Sequence, residues 1–335
     1  MEKVKVAVIG VGAMGRNHAR VYSEMPECRL VAVADVDKEK SEEIADKFNC
    51  RYYLDYKKML EQEDIEAVSI AVPTKFHKDV SIYVIEKGIH LLLEKPIAGT
   101  VEEAEEIIKM AKEKKIKLLI GHIERFNPAV IELKKIVGEG KLGSIISIIA
   151  RRVGLFPPRI KDANIVIDTS VHDIDIIRYI MGSNPDKIYS LGGKSLNENR
   201  EDHVMCLMKY GNANVVIQSN WITPIKIRNL SVTGTKGYAE LDYVTQELIL
   251  YESNYETTFD DYGDFIVKFG KQNTIKVDVK FKDYKDITDI PKKTRDEIKY
   301  FFENYKKSEP GKWVKIKDWK GKQEALAEIQ RAIKS

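Results

Sequence analysis

The chain opens with KVKVAVIGVGAMGRNHAR, residues 3–20, and this stretch decides the fold. Its apolar run ends in Gly10, Gly12 and Gly15, and helix-forming residues follow directly. Glycines at this spacing let a strand turn tightly into a helix, and they let a phosphate group approach the free amides at the helix start. Asp35 ends the next apolar run, 20 residues after Gly15, where a carboxylate accepts hydrogen bonds from ribose hydroxyls. We therefore predict a dinucleotide-binding turn; glycines that serve only a tight turn are the weaker interpretation.

The identity of the dinucleotide follows from the same residues. Ala13 and Met14 lie inside the turn and are further expected cofactor contacts. A carboxylate at Asp35 repels the 2′-phosphate of NADP, so we expect NAD. Lys38 offers a cation close by in sequence, which keeps NADP as the alternative.

Four more apolar runs follow, separated by segments with helical periodicity. They are LVAVAD (30–35), AVSIAV (67–72), HLLLEK (90–95) and KLLIGH (117–122). Nearly continuous Val, Ile and Leu strands are typical of a parallel sheet that helices cover on both faces. We therefore predict an α/β fold, with a doubly wound Rossmann domain over residues 1–122.

After residue 122 the pattern changes to longer strand-like stretches. Gly211-Asn212 and Thr235-Lys236-Gly237 are hairpin signals between such stretches. We predict a second domain over residues 123–335 with a large, mostly antiparallel sheet, whose open face makes a homodimer or homotetramer the expected state. The final KQEALAEIQRAIKS predicts an amphipathic helix at about 321–334 that packs back on the first domain.

Composition narrows the class of partner. The net charge is +3, from 55 basic and 52 acidic residues, with no basic block, so nucleic acid is not an expected partner. The three cysteines are far apart and indicate neither a disulfide framework nor a zinc site. No apolar run of about 18 residues exists, and the first strand-like run at Val4 leaves no room for a signal peptide. We expect a cytoplasmic protein without a membrane partner.

Two further turns follow strands of the first domain, where the cofactor of a doubly wound sheet lies. Pro73-Thr74, with His77, and Glu94-Lys95-Pro96 are therefore expected at the nicotinamide end. Pro96 favours an extended backbone at Lys95, which keeps the lysine at the strand end. A solvated surface lysine and a histidine that packs on its own turn are the alternative interpretations.

A second constellation lies in IVIDTSVHDIDIIRYIMGSNP, residues 165–185. The stretch predicts a helix ended by Gly182, with Asp168, His172 and Asp175 at i, i+4 and i+7 beside its apolar stripe. The predicted buried stripe consists of Ile167, Val171, Ile174, Ile177 and Met181. A histidine accepts a proton from an alcohol near neutral pH, and a carboxylate one turn earlier orients it or binds the substrate.

Structural roles are the alternative interpretations of these residues. His172 is a core histidine in one of them, and Asp168 is the helix N-cap in another. For Asp175 we favour an ion pair with Arg178 at i+3. A metal site at Asp168, His172 and Asp173 is disfavoured, because Asp173 is rotated about 100° from His172, so no metal is expected.

With these motifs in this order, the chain resembles the Gfo/Idh/MocA family of NAD(P)-dependent oxidoreductases. GHIERFNPA (121–129) and GTKGYAELDY (234–243) are also similar to the family's sequences. The resemblance implies a Rossmann domain followed by an open α+β domain whose sheet mediates oligomers. It also implies that Lys95 positions the reacting hydroxyl and stabilises its alkoxide, that His172 is the general acid and base, and that Asp168 supports both.

The segment before the second constellation bears on the substrate. Where many members of the family carry a glycine-rich stretch, this chain has KDANIVID, and ARRVGLFPPRIKDANIVID resembles a subgroup that oxidises the 3-hydroxyl of nucleotide sugars ahead of amination. Arg151, Arg152, Arg159 and Lys161 offer four cations suited to a diphosphate. In a regular strand Arg151 and Arg152 face opposite sides, so Arg152, Arg159 and Lys161 are the candidate substrate contacts. A solvated strand and loop is the alternative.

The expected function is therefore an NAD-dependent dehydrogenase that oxidises a sugar hydroxyl, with UDP-N-acetylglucosamine as the favoured substrate. A dehydrogenase for a free sugar or a polyol such as inositol is the alternative within the class. A dinucleotide-sensing protein without turnover is the alternative from another class, although Lys95, Asp168 and His172 argue against it.

Overall fold

A computed structural model of the chain describes residues 3–156, 163–196 and 199–252, with the backbone of strands 256–259, 265–268 and 272–276. The chain divides into two compact units, residues 1–275 and 276–335, and all described side chains belong to the first. The helix predicted at about 321–334 lies outside the described residues, as do Arg159 and Lys161.

A six-stranded parallel sheet with five helices forms the first part of the chain. Its strands are β1 Val4–Ile9, β2 Cys28–Ala34, β3 Arg51–Tyr53, β4 Ala67–Ile70, β5 His90–Leu93 and β6 Leu118–Ile120. The helices are α1 Gly15–Glu24, α2 Lys38–Phe48, α3 Tyr56–Gln62, α4 His77–Glu86 and α5 Val101–Glu113. The strand order is β3-β2-β1-β4-β5-β6. All five predicted runs form strands, and β3, only three residues long, is an additional one.

Alternate residues of β1 enter the cores on the two faces of this sheet. Val6 and Val8 pack with residues of α1 and α2, whereas Ala7 and Ile9 pack with residues of α4 and α5. Each of the four side chains is at most 3% exposed. The strand order reverses between β1 and β4, which places a crevice at the carboxyl ends of these strands, where ligands bind in open α/β sheets.

A second, eight-stranded sheet follows. Its strands are β7 Ile145–Val153, β8 Lys187–Gly193, β9 His203–Tyr210, β10 Ala213–Asn220, β11 Ile227–Gly234, β12 Gly237–Asp242, β13 Glu247–Glu252 and β16 Gln272–Lys276; β14 Glu256–Phe259 and β15 Phe265–Lys268 pair separately. The order is β16-β13-β12-β11-β7-β10-β9-β8. The pair β7 and β10 is parallel, and β11 runs antiparallel to β7 and to β12, as β9 does to β8 and β10. This arrangement confirms the predicted fold class.

Both predicted hairpins form in this sheet. Gly211 connects β9 to β10 with a φ of 55°, in the left-handed region that favours glycine. Thr235 and Lys236 connect β11 to β12.

The outer face of the second sheet carries a row of apolar side chains. Ile149, Val216, Leu207 and Tyr189 lie side by side on β7, β10, β9 and β8. Ile149 is 48% exposed, Leu207 50% and Tyr189 64%. A second copy of the chain would cover an exposed apolar area of this kind. The homodimer or homotetramer stays a prediction.

Two helices pack on the inner side of the second sheet, α6 Pro128–Gly138 and α7 Val171–Met181. A π-helical turn over Val166–Ser170 precedes α7, so the helix predicted from residue 165 is not a single α-helix. The predicted buried stripe is wrong at several positions: Ile167 is 40% exposed, and the residues that α7 buries are Asp173, Asp175, Ile176, Ile177 and Ile180. The prediction was wrong because it assumed one continuous α-helical period and because it assumed that carboxylates are not buried.

No helix among the described residues combines the length and the apolar character that crossing a membrane requires.

Candidate active site

The three glycines of the turn after β1 have different roles. A Cβ at Gly15 would lie 1.7 Å from the carbonyl oxygen of Gly10, and a Cβ at Gly10 would lie 2.7 Å from that of Ala71. These two glycines are therefore required by close backbone packing. A Cβ at Gly12 would have no atom within 4 Å. Gly12 thus faces open space at the start of α1, where a side chain would obstruct a ligand rather than the fold.

Two cavities meet at this turn, since Gly12 and Ala13 line both. The first has a volume of about 1070 Å³ and is lined also by Gly10, Met14, Asp35 and Pro73. The second has a volume of about 610 Å³ and is lined also by Thr74, Lys95 and Asp168. The structure therefore brings most of the predicted cofactor residues together with two of the three predicted catalytic residues.

Asp35 occupies the position expected of a ribose-binding carboxylate. Its two oxygens accept hydrogen bonds from the backbone amides of Val11, at 2.8 Å, and Asp37, at 3.0 Å. These bonds fix the carboxylate, and a carboxylate has about four lone-pair sites in all, which leaves capacity for ribose hydroxyls. Within the described part of the chain no side chain caps the first turn of α1, so the positive end of its dipole is available to an anion. These residues fit NAD.

Lys95 follows β5 and reaches the second constellation. The peptide bond between Lys95 and Pro96 is cis. The Lys95 ammonium donates a hydrogen bond to the backbone carbonyl of Asp168 at 2.9 Å and lies 3.6 Å from Asp168 Oδ1. An ammonium carries three donors, so Lys95 keeps donor capacity for a ligand in the cavity that it lines.

A buried hydrogen-bonded chain holds the backbone of Lys95. Glu94 is 6% exposed; one of its oxygens accepts from the Lys95 amide at 3.2 Å, and the other lies 2.8 Å from His18 Nε2. His18 Nδ1 contacts Ser69 Oγ at 3.2 Å, and Ser69 Oγ contacts the Tyr22 hydroxyl at 2.7 Å. Glu94 therefore holds the backbone of Lys95, and its predicted contact with the cofactor stays a prediction. Sequence reasoning missed His18, although His18 and Tyr22 are spaced one turn apart on α1.

His77 ties two turns of the site together. Its ring is buried, at 1% exposure, between the carbonyl oxygens of Pro96, 2.8 Å from Nδ1, and Val72, 2.9 Å from Nε2. Both ring nitrogens are thus engaged by backbone. This geometry supports the alternative interpretation, a histidine that packs on its own turn, over direct contact with the cofactor.

Asp168 lies in the π-helical turn. Its Oδ2 accepts from the Thr169 hydroxyl at 3.1 Å, and that hydroxyl in turn accepts from Trp221 Nε1 at 3.2 Å. Asp168 is not the helix N-cap, because the side chain of Asn164 accepts the amides of Val166 and Ile167.

His172 lies half-buried on the first turn of α7. Burial, followed by the positive charges of Lys95 and Arg152, lowers the pKa of His172 to about 2. The ring is therefore neutral at physiological pH. Of the two roles considered for Asp168, orienting His172 or binding the substrate, the structure does not show the first, because the Asp168 carboxylate lies against Lys95 and accepts from Thr169. Among the described residues His172 has no hydrogen-bond partner, so its nitrogens are available to a substrate.

Arg152 differs from its predicted role as a substrate contact. It is 3% exposed, donates two hydrogen bonds of 3.0 Å to the buried Asp173 and a third of 3.0 Å to Glu124, and stacks over the Tyr243 ring at 4.6 Å. The guanidinium is thus committed to carboxylates of the protein. Arg151, its neighbour on β7, is exposed, as the strand alternation predicts.

Asp175 also differs from its predicted pairing. Its carboxylate accepts two hydrogen bonds from Arg125, at 2.8 and 2.5 Å, whereas Arg178 donates to Asn184. His122 Nδ1 lies 3.6 Å from Asp175. The partner of Asp175 comes from 50 residues away, which helical spacing cannot indicate.

Comparisons with known proteins divide the chain into three parts. The family model described as oxidoreductase family, NAD-binding Rossmann fold, matches residues 4–122. The model of the GFO/IDH/MocA C-terminal domain matches residues 130–240. Residues 273–335 match the model of a different family, inorganic pyrophosphatase.

Individual relatives point to sugar and polyol chemistry. The chain is 29% identical over 252 residues to UDP-N-acetylglucosamine 3-dehydrogenase of Acidithiobacillus ferrooxidans, covering 75% of this chain and 78% of the relative. It is 25% identical to inositol 2-dehydrogenase of Salmonella typhimurium, covering 84% and 85%. A solved structure of the Acidithiobacillus enzyme superposes with a TM-score of 0.72 at 27% identity, over 83% of this chain and 85% of the other. Levoglucosan dehydrogenase in complex with NADH and levoglucosan gives a TM-score of 0.70 at 23% identity, over 80% of each chain, and shows the same fold.

Proposed function

The chain belongs to the Gfo/Idh/MocA family of NAD-binding oxidoreductases, and from that premise we propose that it oxidises the 3-hydroxyl of UDP-N-acetylglucosamine to a ketone. The observation that carries the chemistry is the contact between Lys95 and Asp168 in the cavity that adjoins the glycine turn. The nucleotide sugar is supported by the similarity to UDP-N-acetylglucosamine 3-dehydrogenase over three quarters of the chain.

The reaction separates a secondary alcohol into a hydride and a proton. NAD, held by the glycine turn and Asp35, supplies the hydride acceptor when bound. In our proposal Lys95 donates a hydrogen bond to the reacting oxygen and stabilises the negative charge that develops there. Asp168 and its backbone carbonyl hold the ammonium at the cavity wall for this purpose.

The proton of the hydroxyl passes to His172. The neutral ring has a free lone pair, because its lowered pKa keeps it unprotonated. General-base catalysis contributes about 10²- to 10⁴-fold to a rate when the pKa of the base lies near the operating pH, so the proposal requires that the pKa of His172 rises when the substrate is bound. The burial that keeps the ring neutral also disfavours the imidazolium, so the proton moves on from His172 to water.

A polyol dehydrogenase is the second candidate. The specific observation that favours it is the match to inositol 2-dehydrogenase, which covers 84% of this chain, a larger share than the match to the nucleotide-sugar enzyme. The two candidates use the same catalytic residues, and they differ in whether the substrate carries a phosphate.

The test is NAD⁺ reduction followed at 340 nm with UDP-N-acetylglucosamine, and with a carbonyl trap that removes the 3-keto product. We expect turnover by the unaltered protein, and a loss of about 10²-fold or more in kcat for His172→Ala. His203→Ala, at a partly exposed histidine on β9, is the matched control and should retain activity. Turnover of inositol, with none of the nucleotide sugar, would overturn the substrate and leave the proposed catalytic residues in place.

A further inference from the structure

Arg228 stands out among the charged residues of the second sheet. It lies at the start of β11, and Leu230 and Val232 follow it on the same buried face of the strand. In the ladder between β7 and β11, Arg228 is directly opposite Arg152. Two arginines are therefore neighbours on the inner side of one sheet.

The two guanidinium groups are treated differently by their surroundings. Arg152 donates to both Asp173 and Glu124. Arg228 is half-buried, and in the part of the chain that the structure describes its guanidinium forms no hydrogen bond or ion pair. Burial, followed by the charge of Arg152, lowers the pKa of Arg228, while the carboxylates of Glu124 and Asp173 act in the opposite direction. A partly desolvated guanidinium with five unused donors is costly unless a ligand supplies an acceptor.

Arg228 lies near the proposed base, because Arg152, directly opposite it in the ladder, donates a hydrogen bond to Asp173, the residue that follows His172 on α7. Its charge contributes to the lowered pKa of His172, and Asp168 stabilises the charged form of Arg228. The guanidinium is thus within electrostatic range of the proposed base and of the carboxylate beside Lys95.

We propose that Arg228 is a specificity-determining residue whose guanidinium binds a phosphate of the substrate, the diphosphate of a nucleotide sugar in the function proposed above. This inference rests on that proposed function. The planar guanidinium presents two parallel donors that match two phosphate oxygens. In this proposal Arg228 makes the substrate contact that the sequence suggested for Arg152, because Arg152 donates its hydrogen bonds to Asp173 and Glu124.

The experiment measures binding of UDP by calorimetry to the full chain saturated with NADH, so that the cofactor site is closed to the probe. Arg228→Leu should weaken UDP binding about 10- to 100-fold, the range of a charge-assisted bidentate pair. Arg228→Lys should weaken it less, because an ammonium keeps the charge without the fork. Arg151→Leu, an exposed arginine on the opposite face of β7, is the matched control and should bind UDP as the unaltered protein does. Unchanged NADH binding by each variant checks that it is folded.

The outcomes separate this inference from the proposed function. Equal UDP affinity in Arg228→Leu and the unaltered protein, while UDP-N-acetylglucosamine is still oxidised, would overturn the role of Arg228 alone. No UDP binding by the unaltered protein, together with turnover of inositol, would overturn both. N-acetylglucosamine 1-phosphate as a second probe locates the contact: sensitivity of both probes to Arg228→Leu assigns it to the phosphate next to the sugar, and sensitivity of UDP alone assigns it to the phosphate next to uridine.

Discussion

The glycine turn and Arg152 on β7 were both singled out from the sequence, yet the structure supports the prediction for the turn and gives Arg152 a different role. Gly10, Gly12 and Gly15 act through the backbone of a few consecutive residues, so their spacing describes their geometry. Arg152 acts through partners 21 and 28 residues away. The geometry of a backbone motif can therefore be predicted from the residues next to it in sequence. The role of a charged side chain depends on partners that are distant in sequence and meet it only in the folded protein.

The largest expected effect would break the glycine turn itself. In Gly15→Ala the new Cβ would meet the carbonyl oxygen of Gly10 at 1.7 Å, so we expect loss of the folded protein in thermal melts. Gly12→Ala meets nothing within 4 Å, so it should melt as the unaltered protein does and lose NADH affinity, measured by fluorescence titration. Similar stability of the two variants would contradict the distinction between a packing glycine and a ligand-facing one.

Removing one carboxylate partner of Arg152 tests the second region of this comparison. Asp173→Asn leaves Arg152 with only Glu124 as an ionised partner, and breaking a buried pair in this way costs about 3–5 kcal/mol. We expect that loss in the free energy of unfolding, measured by urea denaturation. Glu24→Gln, in the exposed pair between Arg20 and Glu24, is the control and should change stability by less than about 1 kcal/mol. A small change in the free energy of unfolding for Asp173→Asn would mean that the ion pairs of Arg152 do not stabilise the second sheet.

A smaller effect is expected from acid. The folded-state pKa of His172 is lowered to about 2, so between that value and the ordinary value near 6.5 the unfolded chain binds a proton that the folded chain does not. Stability therefore falls as pH decreases through this window, by up to about 1.4 kcal/mol per pH unit. Urea denaturation at pH 7.5 and pH 5.5 should show a smaller loss for His172→Ala than for the unaltered protein. Equal losses in both would mean that His172 is accessible to protons in the folded state.

Much of the site was predictable where local chemistry decides it. The sequence placed Lys95 and Asp168 in one predicted site, and the structure brings the two into contact although 73 residues separate them; the roles proposed for Asp35, Lys95, Asp168 and His172 stay predictions. The order of strands in a doubly wound sheet makes such a meeting foreseeable, because strand ends gather at one edge.

The errors share a physical cause. The expected ion pair of Asp175 followed helical spacing, but Arg125 reaches it from another segment. His18 escaped notice because its partner, Glu94, is 76 residues away. Arg228 is distinguished by being half-buried without a partner among the described residues. The residues next to it in sequence give no indication of this.

The amino-acid sequence alone determined the parallel sheet, the turn that ends its first strand and the chemical groups available for hydride and proton transfer, because strand burial and glycine conformations are local requirements. Tertiary structure alone decided which arginine, Arg152 or Arg228, is bound by carboxylates of the protein. Burial sets that choice: a guanidinium inside the protein must find acceptors, and the fold brings Asp173 and Glu124 to Arg152 but brings none to Arg228 among the residues described.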